Sequence, residues 1–538
     1  MPGNRSYLSW LFPLLSAATL GASGPHSQLI EAIQKADKTA VRSALQQHGD
    51  VNEPEPDGMT ALHWAARLND LETADLLIRA GANVKAATRY GVTPLTLACV
   101  NGNAALIDRL IKAGADPNTV YADGETALMT ASRTGALDAV NVLLSNGAKV
   151  DVTENWKGQT ALMWAAGEGH AEVSKALVEH GAGIQASSKG GFTPLLFAVR
   201  NGHMDTVRYL LSAGANVNDA APDGTSALAM AVINANYELA ALLLDQRADP
   251  NIPDPRGSVL HALAFMRRPG SGNPPHRVGN VDSLELAKAL LKRGANPNAR
   301  IAWKEIKFDR DLGVVKQPPN ISIGRNYLSF RGATPFYLAA KHGDVDLMRV
   351  LAAAGADPLA KTQQNITPLM AAAGLGFWDG ESPGPLWGVP EADRVEACKL
   401  AIELGNDVNA AADFGDFPIE GEGLSLLLRL PLNLERLPDA ALGDVRWSGS
   451  TALHGAALTG QNDVVKFLVE SGAKLDAKNR IGWTPLMVAQ GVMVANTQKS
   501  WPGTVKLLKK LMAEHGLKID ASNSNLADTA GVRVSKQQ

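Results

Sequence analysis

One seven-residue phrase recurs along the chain at a step of about 33 residues, and a chain written that way folds as a stack of like units rather than as separate cores. It reads Thr60-Ala-Leu-His-Trp-Ala-Ala66, Thr93-Pro-Leu-Thr-Leu-Ala-Cys99, Thr126-Ala-Leu-Met-Thr-Ala-Ser132 and Thr160-Ala-Leu-Met-Trp-Ala-Ala166. Further copies begin at Thr193, Ser226, Ser258, Thr334, Thr367, Thr451 and Thr484. Most copies keep the period to within one position, and the step from Thr126 to Thr160 is one longer than its neighbours. The exceptions are the long steps from Ser258 to Thr334 and from Thr367 to Thr451. Beyond one period, these hold about 43 and about 51 residues of insertion, and the second leaves room for one missing or distorted unit.

Each unit has the same local grammar. The Thr is a helix N-cap, and Pro beside it suits the first helical turn, where a missing N–H costs nothing. A short helix with Leu and Ala facing a neighbour follows, then a turn such as Gly202-His203 and an amphipathic second helix such as Val207–Leu211. Gly214 in Ala-Gly-Ala-Asn-Val-Asn218 is the expected helix stop, and Asn, Asp and Gly residues then turn the chain towards the next Thr. A lone helix pair cannot bury its apolar face, so the neighbours must supply the core.

The phrase and its spacing strongly resemble the ankyrin repeat, whose signature is T-P-L-H-x-A at the same period. The resemblance implies an all-α solenoid of paired antiparallel helices with β-turn fingers, about eleven to twelve repeats, with extended loops in the C-terminal half. Residues 27–51 read as an N-terminal capping unit, 24–297 as the first array, 333–409 as a second stretch of repeats and 450–520 as the C-terminal repeats. Residues 521–538 read as a polar tail.

Four Gly- and Pro-containing insertions interrupt the pattern. Arg267–Asn280 and Gly374–Pro390 separate the two helices of their units, whereas 298–332 and 410–449 lengthen the finger between units. Insertions in repeat arrays map to faces used for binding, and long loops in compact arrays are uncommon without a role.

Residues 1–23 carry one early charge, Arg5, then an apolar stretch from Tyr7 to Leu20 and small residues at Gly21, Ala22 and Ser23. That is the pattern of a secretory signal peptide, so the expectation is an exported, periplasmic or extracellular protein. A cytoplasmic location follows if the segment is not a signal. Elsewhere no apolar run is long enough to span a bilayer. With 51 Lys and Arg against 54 Asp and Glu, the net charge of −3 gives no global pull towards nucleic acid. Two cysteines, Cys99 and Cys398, exclude a disulfide scaffold and multi-cysteine zinc sites; both read as buried free thiols.

Signals for chemistry are poor. The histidines follow the repeat, with His63, His261 and His454 as the fourth residue of the phrase and His170, His203 and His342 at interhelical turns. There is no H-E-x-x-H, no G-x-S-x-G and no Walker loop. The run Asp413–Glu422 clusters four carboxylates and reads as a solvated finger rather than a calcium loop. No catalytic residue, metal site or cofactor is expected.

What the resemblance does imply is a recognition surface, on the concave face and the fingers, for another protein. Its positions select Arg89, Tyr90, Arg133, Trp156, Lys157, Phe192, Arg200, Phe330, Arg331, Trp447 and Trp483, with Arg67 beside them. Trp64 and Trp164 stand where the repeat usually holds Leu and read as core. In a chain with 5% aromatics, a stripe enriched in aromatic and Arg/Lys side chains suits an acidic or extended segment of a monomeric scaffold's partner. The competing readings are a saccharide-binding protein or hydrolase whose site the insertions build, and a cytosolic adaptor or effector.

Overall fold

The structure, a computed structural model, describes residues 25–519 apart from 48–49, 122, 255–256, 268–278, 302–331, 376–388, 414–447, 481, 492, 495–496 and 499. The signal-like segment, the tail beyond residue 519, and Phe330, Arg331 and Trp447 therefore lie outside the described residues. The chain divides into two units, Met1–Ala186 and Ser187–Gln538.

Among the described residues, the first unit holds five helix pairs: Pro25–Gln34 with Lys38–Gln46, Ala61–Arg67 with Leu71–Arg79, Pro94–Val100 with Ala104–Lys112, Ala127–Thr134 with Leu137–Ser145, and Ala161–Glu168 with Ala171–Glu179. First helices pack on first helices and second on second, in chain order. The phrase explains the layer. Ala65, Ala66, Ala98 and Ala131 are fully buried, and their small side chains let neighbouring helices approach while Leu62, Leu95 and Leu128 fill the space beneath. Each such Leu contributes about 1.5–3 kcal/mol by leaving water.

The Thr that opens each phrase is extended and caps its helix, as in Thr126, whose Oγ1 accepts from Met129 N at 3.2 Å. Where the fourth residue is His, the ring also bonds the repeats together. His63 Nδ1 accepts from Thr60 N at 3.1 Å, so its proton sits on Nε2, which donates to Val92 O of the next turn at 3.0 Å. An asparagine ladder ties the turns at the other end: Asn118 Nδ2 donates to Gly147 O at 3.0 Å, and its Oδ1 accepts from Lys149 N at 2.8 Å.

Fingers close by one pattern. Thr88 N donates to Val92 O at 2.9 Å and Gly91 N to Thr88 O at 2.9 Å, which leaves Arg89 and Tyr90 at the tip. The longer step before Thr160 is taken up here, because Glu154 N reaches Gln159 O and the turn gains one position. Adjacent fingers touch through backbone: Asn155 N donates to Asp123 O at 2.8 Å, and Gly124, at φ 86°, lies so near that a Cβ there would meet Asn155 N at 2.8 Å.

The second unit holds seven pairs among the described residues: Pro194–Asn201 with Met204–Ser212, Ala227–Ile233 with Tyr237–Asp245, Val259–Arg267 with Ser283–Lys292, Pro335–Lys341 with Val345–Ala353, Pro368–Ala372 with Glu391–Glu403, Ala452–Thr459 with Asn462–Glu470, and Pro485–Gly491 with Pro502–Glu514. A short antiparallel pairing of Met493–Val494 with Thr497–Gln498 lies inside the last pair. Among the described residues, Pro368–Ala372 packs on Pro335–Lys341 on one side and Ala452–Thr459 on the other.

The two finger insertions leave and return through the ordinary finger base. Ile301 N donates to Ala333 O at 3.0 Å and Gly332 N to Ile301 O at 2.8 Å; Ala412 N donates to Ser450 O at 2.9 Å and Gly449 N to Ala412 O at 2.7 Å. These are the bonds of the Thr88 turn, so each insertion begins and ends at an ordinary finger base. Cys99 and Cys398 are buried free thiols, and burial pushes the Cys398 thiol up to about 12.

Candidate protein-binding face

In the first unit the fingers and the C-terminal ends of the first helices share one face, because the fifth residue of the phrase points towards the turns. Trp64 Nε1 donates to Glu55 Oε2 of the preceding turn at 2.6 Å, and Thr130 Oγ1 donates to Glu125 Oε1 at 2.8 Å. The residue directly after the phrase lies three positions on, hence on the same side of the helix.

The basic side chains assigned to this face lie over aromatic rings. The Arg67 guanidinium carbon is 5.1 Å from the ring centre of Trp64 in its own helix, and that of Arg133 is 5.1 Å from the ring centre of Trp164 in the next repeat. On the finger tips, Arg89 stands 5.1 Å from the Tyr90 ring and Lys157 Nζ 4.6 Å from the Trp156 ring. Such contacts contribute about 0.5–1 kcal/mol at exposed sites, enough to bias side-chain rotamers. Tyr90 and Trp156 remain 67% and 71% exposed, so these large apolar rings have solvent where a partner would sit.

Trp64 and Trp164 correct the sequence reading. Both are only half-buried and belong to the face rather than to the core. At this position each Trp ring lies under a cation, Arg67 over Trp64 and Arg133 over Trp164. Trp164 Nε1 is a buried donor with no hydrogen-bond partner among the described residues.

Sequence reasoning also missed Glu154. This carboxylate is buried to 7% exposure and accepts from Trp156 N at 2.6 Å, Lys157 N at 2.8 Å and Gln159 N at 2.9 Å. It moulds the longer finger that presents Trp156. The extra position in the step from Thr126 to Thr160 was its only trace in the sequence.

In the second unit, Arg200 lies 5.2 Å from the Phe197 ring and 5.6 Å from the Phe192 ring, and the two rings are 5.7 Å apart. Trp483 is half-buried; its N–H donates to Asn479 Oδ1 at 2.9 Å and its carbonyl accepts from His454 Nε2 at 3.0 Å. Further along this unit the face is taken by the chain itself. Gly455 occupies the fifth position of its phrase, and a Cβ there would stand 2.4 Å from Leu375 N. Leu375 is fully buried.

A profile described as ankyrin repeats in three copies matches residues 29–121, 101–188, 182–254 and 422–523, and a single ankyrin-repeat profile matches 331–363. The matches cover more than half of the chain: it belongs to the ankyrin-repeat family. Among curated proteins, the chain is 34% identical to the Notch-regulated ankyrin repeat-containing protein of Xenopus tropicalis over 91 residues, 16% of this chain and 80% of that one. It is 35% identical over 86 residues to neurogenic locus notch homolog protein 1 of Xenopus tropicalis, spanning 16% of this chain and 3% of that protein's length. It is 41% identical over 54 residues to human protein phosphatase 1 regulatory subunit 27, covering 10% of this chain and 35% of that one. Among solved structures, the human ASB11 ankyrin repeat domain is 29% identical, with a TM-score of 0.38 over 44% of this chain and 100% of that one.

Proposed function

We propose that this protein is an interaction scaffold that holds another protein against the fingers and first-helix ends of its repeats, without chemistry of its own. The observation that carries the reading is the pair of finger tips at Tyr90 and Trp156, large rings left in solvent beside a cation each. Trp, Tyr and Arg dominate binding hot spots, and a ring held by a stacked cation loses less freedom on association. Family membership supports a binding role, and the relative named as a regulatory subunit of protein phosphatase 1 is a protein whose name places it with another protein. Export is part of the proposal and rests on the charge and hydropathy of residues 1–23.

The test is affinity capture from the native host with the full chain and with the Tyr90→Ala/Trp156→Ala double variant as baits. A partner retained by the first and lost by the second supports the reading, provided both baits melt together. Equal capture by the two overturns it. N-terminal sequencing of the native protein tests export, since an intact Met1 contradicts a cleaved signal.

A further inference from the structure

Two fingers of the first unit open on a glutamate, and the two glutamates bond differently. Glu55 N closes its finger on Met59 O at 2.7 Å, and Glu154 N closes its own on Gln159 O at 3.1 Å. Met59 and Gln159 stand directly before the Thr of a phrase whose fifth residue is Trp, Trp64 in one case and Trp164 in the other. Glu55 Oε2 accepts from Trp64 Nε1 at 2.6 Å. The Glu154 carboxylate instead accepts from Trp156 N, Lys157 N and Gln159 N. Trp164 Nε1 is left a buried donor with no hydrogen-bond partner among the described residues.

The finger sequences account for the divergence. In Glu55-Pro-Asp-Gly-Met59 an acid precedes the glycine, and Asp57 Oδ1 accepts from Met59 N at 2.9 Å. In the third finger Asp123 does the same for Glu125 N at 3.0 Å. With that donor met locally, Glu55 can serve the indole. Glu154-Asn-Trp-Lys-Gly-Gln159 carries Lys157 before its glycine and is one residue longer, so Gln159 N lacks the aspartate and turns to Glu154. The N–H groups so held belong to a finger whose Trp156 and Lys157 are exposed, where water or a partner can also bond them. The buried indole N–H depends on a protein acceptor, and leaving it unmet carries the full cost of its desolvation. Two arrangements of one carboxylate therefore compete, and a ligand that bonds the finger N–H groups favours the second.

We infer that the fourth finger is a two-position element: Glu154 holds the finger N–H groups in the free protein and passes to Trp164 Nε1 when oxygen atoms of a bound protein segment replace it at the tip. The use in binding rests on the scaffold role proposed above, whereas the two positions belong to the free chain. The Trp164 ring lies 5.1 Å from the Arg133 guanidinium carbon, so contact at the Trp156 tip reaches the first-helix side of the face.

The test reads the tryptophan indole N–H signals of the full chain by 15N–1H NMR, assigned with Trp64→Phe and Trp164→Phe. A hydrogen-bonded indole proton resonates downfield of an unbonded one. Lys157→Asp supplies the missing acceptor for Gln159 N, and replacing Trp156-Lys157 by a single Asp copies the first finger while keeping Asn155. The Trp164 proton moves downfield in the first variant and further in the second, towards the position of Trp64. Adding Glu154→Ala to the shortened finger returns it upfield, and an unmoved Trp64 signal reports an intact fold in each variant. In the native chain the Trp164 signal shows microsecond-to-millisecond exchange by relaxation dispersion, which Glu154→Ala removes. A Trp164 signal that stays in place in either finger variant overturns the inference, as does flat dispersion in the native chain. If the signal is fixed while capture is still lost in the Tyr90→Ala/Trp156→Ala bait, the two-position element is overturned and the scaffold reading stands. Capture indifferent to that bait overturns the scaffold reading and, with it, the use of the element in binding.

Discussion

The Arg133 guanidinium rests 5.1 Å from the ring centre of Trp164, one repeat further along the stack. The residue following this phrase thus covers the fifth residue of the next. The same juxtaposition recurs with the side chains removed at Gly374 and Gly455: a Cβ on Gly374 would meet Gly455 O at 3.3 Å. One geometric relation therefore yields a cation–ring stack in the first unit and a chain-filled contact in the second.

That second contact is intolerant of bulk. Gly455→Val places a branched side chain against the Leu375 backbone, where a Cβ alone would approach to 2.4 Å. Overpacking against immovable backbone costs about 3 kcal/mol or more. Urea unfolding should show that loss in the Gly455→Val variant, and an unchanged midpoint contradicts the contact.

The buried histidines make stability depend on pH. Burial draws His261 and His454 down to about 4, despite the carbonyl each one's Nε2 bonds, while in the unfolded chain they titrate near the ordinary 6.5. A group with a depressed folded value is neutral in the fold and gains a proton first in the unfolded chain. Stability is therefore full above pH 6.5 and falls as pH drops from there to about 4, by up to about 1.4 kcal/mol per unit for each histidine. His261→Gln should flatten part of that slope between pH 6.5 and about 5 in denaturant titrations. An identical slope contradicts the assignment.

Glu154 should govern the shape of one finger without holding up the stack. Its carboxylate accepts three finger N–H groups, so Glu154→Ala strands donors that solvent can reach. We expect a loss of about 1–2 kcal/mol and a changed Trp156 fluorescence maximum, measured against a Trp156→Phe control. Unaltered Trp156 emission contradicts the moulding role.

The finger insertions should be separable from the fold. Because Ile301 and Ala333 make the ordinary finger-base bonds, replacing residues 302–331 by the dipeptide Arg-Tyr restores a regular turn. Shortening a loop changes closure entropy by little, so the melting temperature should shift by no more than about 3 °C. Failure of the shortened protein to fold shows that the insertion is part of the core.

The repeated Thr and the Leu-Ala pairs made the fold legible, because capping and small-residue packing are local rules written into every copy of the phrase. The finger positions of Arg89, Tyr90, Trp156 and Lys157 followed from the same frame. The role of Trp64 and Trp164 did not, since the fifth position is ordinarily filled by Leu. The half-exposed Trp164 ring and the Arg133 cation over it, contributed by the preceding repeat, come together only once the repeats are stacked. Glu154 was hidden for a related reason: a carboxylate in a polar turn looks solvated until three backbone donors are found to converge on it. Gly455 was readable as the one glycine at the fifth position of the phrase, but the segment that fills its place, at Leu375, lies far earlier in the chain.

The most direct measurement of the central claim is hydrogen–deuterium exchange of the full chain with and without its captured partner. The account predicts slowed exchange in the fingers around residues 88–92 and 154–159 and at the first-helix ends near Arg67 and Arg133, with the second helices unchanged. Protection confined to the second helices, with the fingers exchanging as in the free protein, would contradict it.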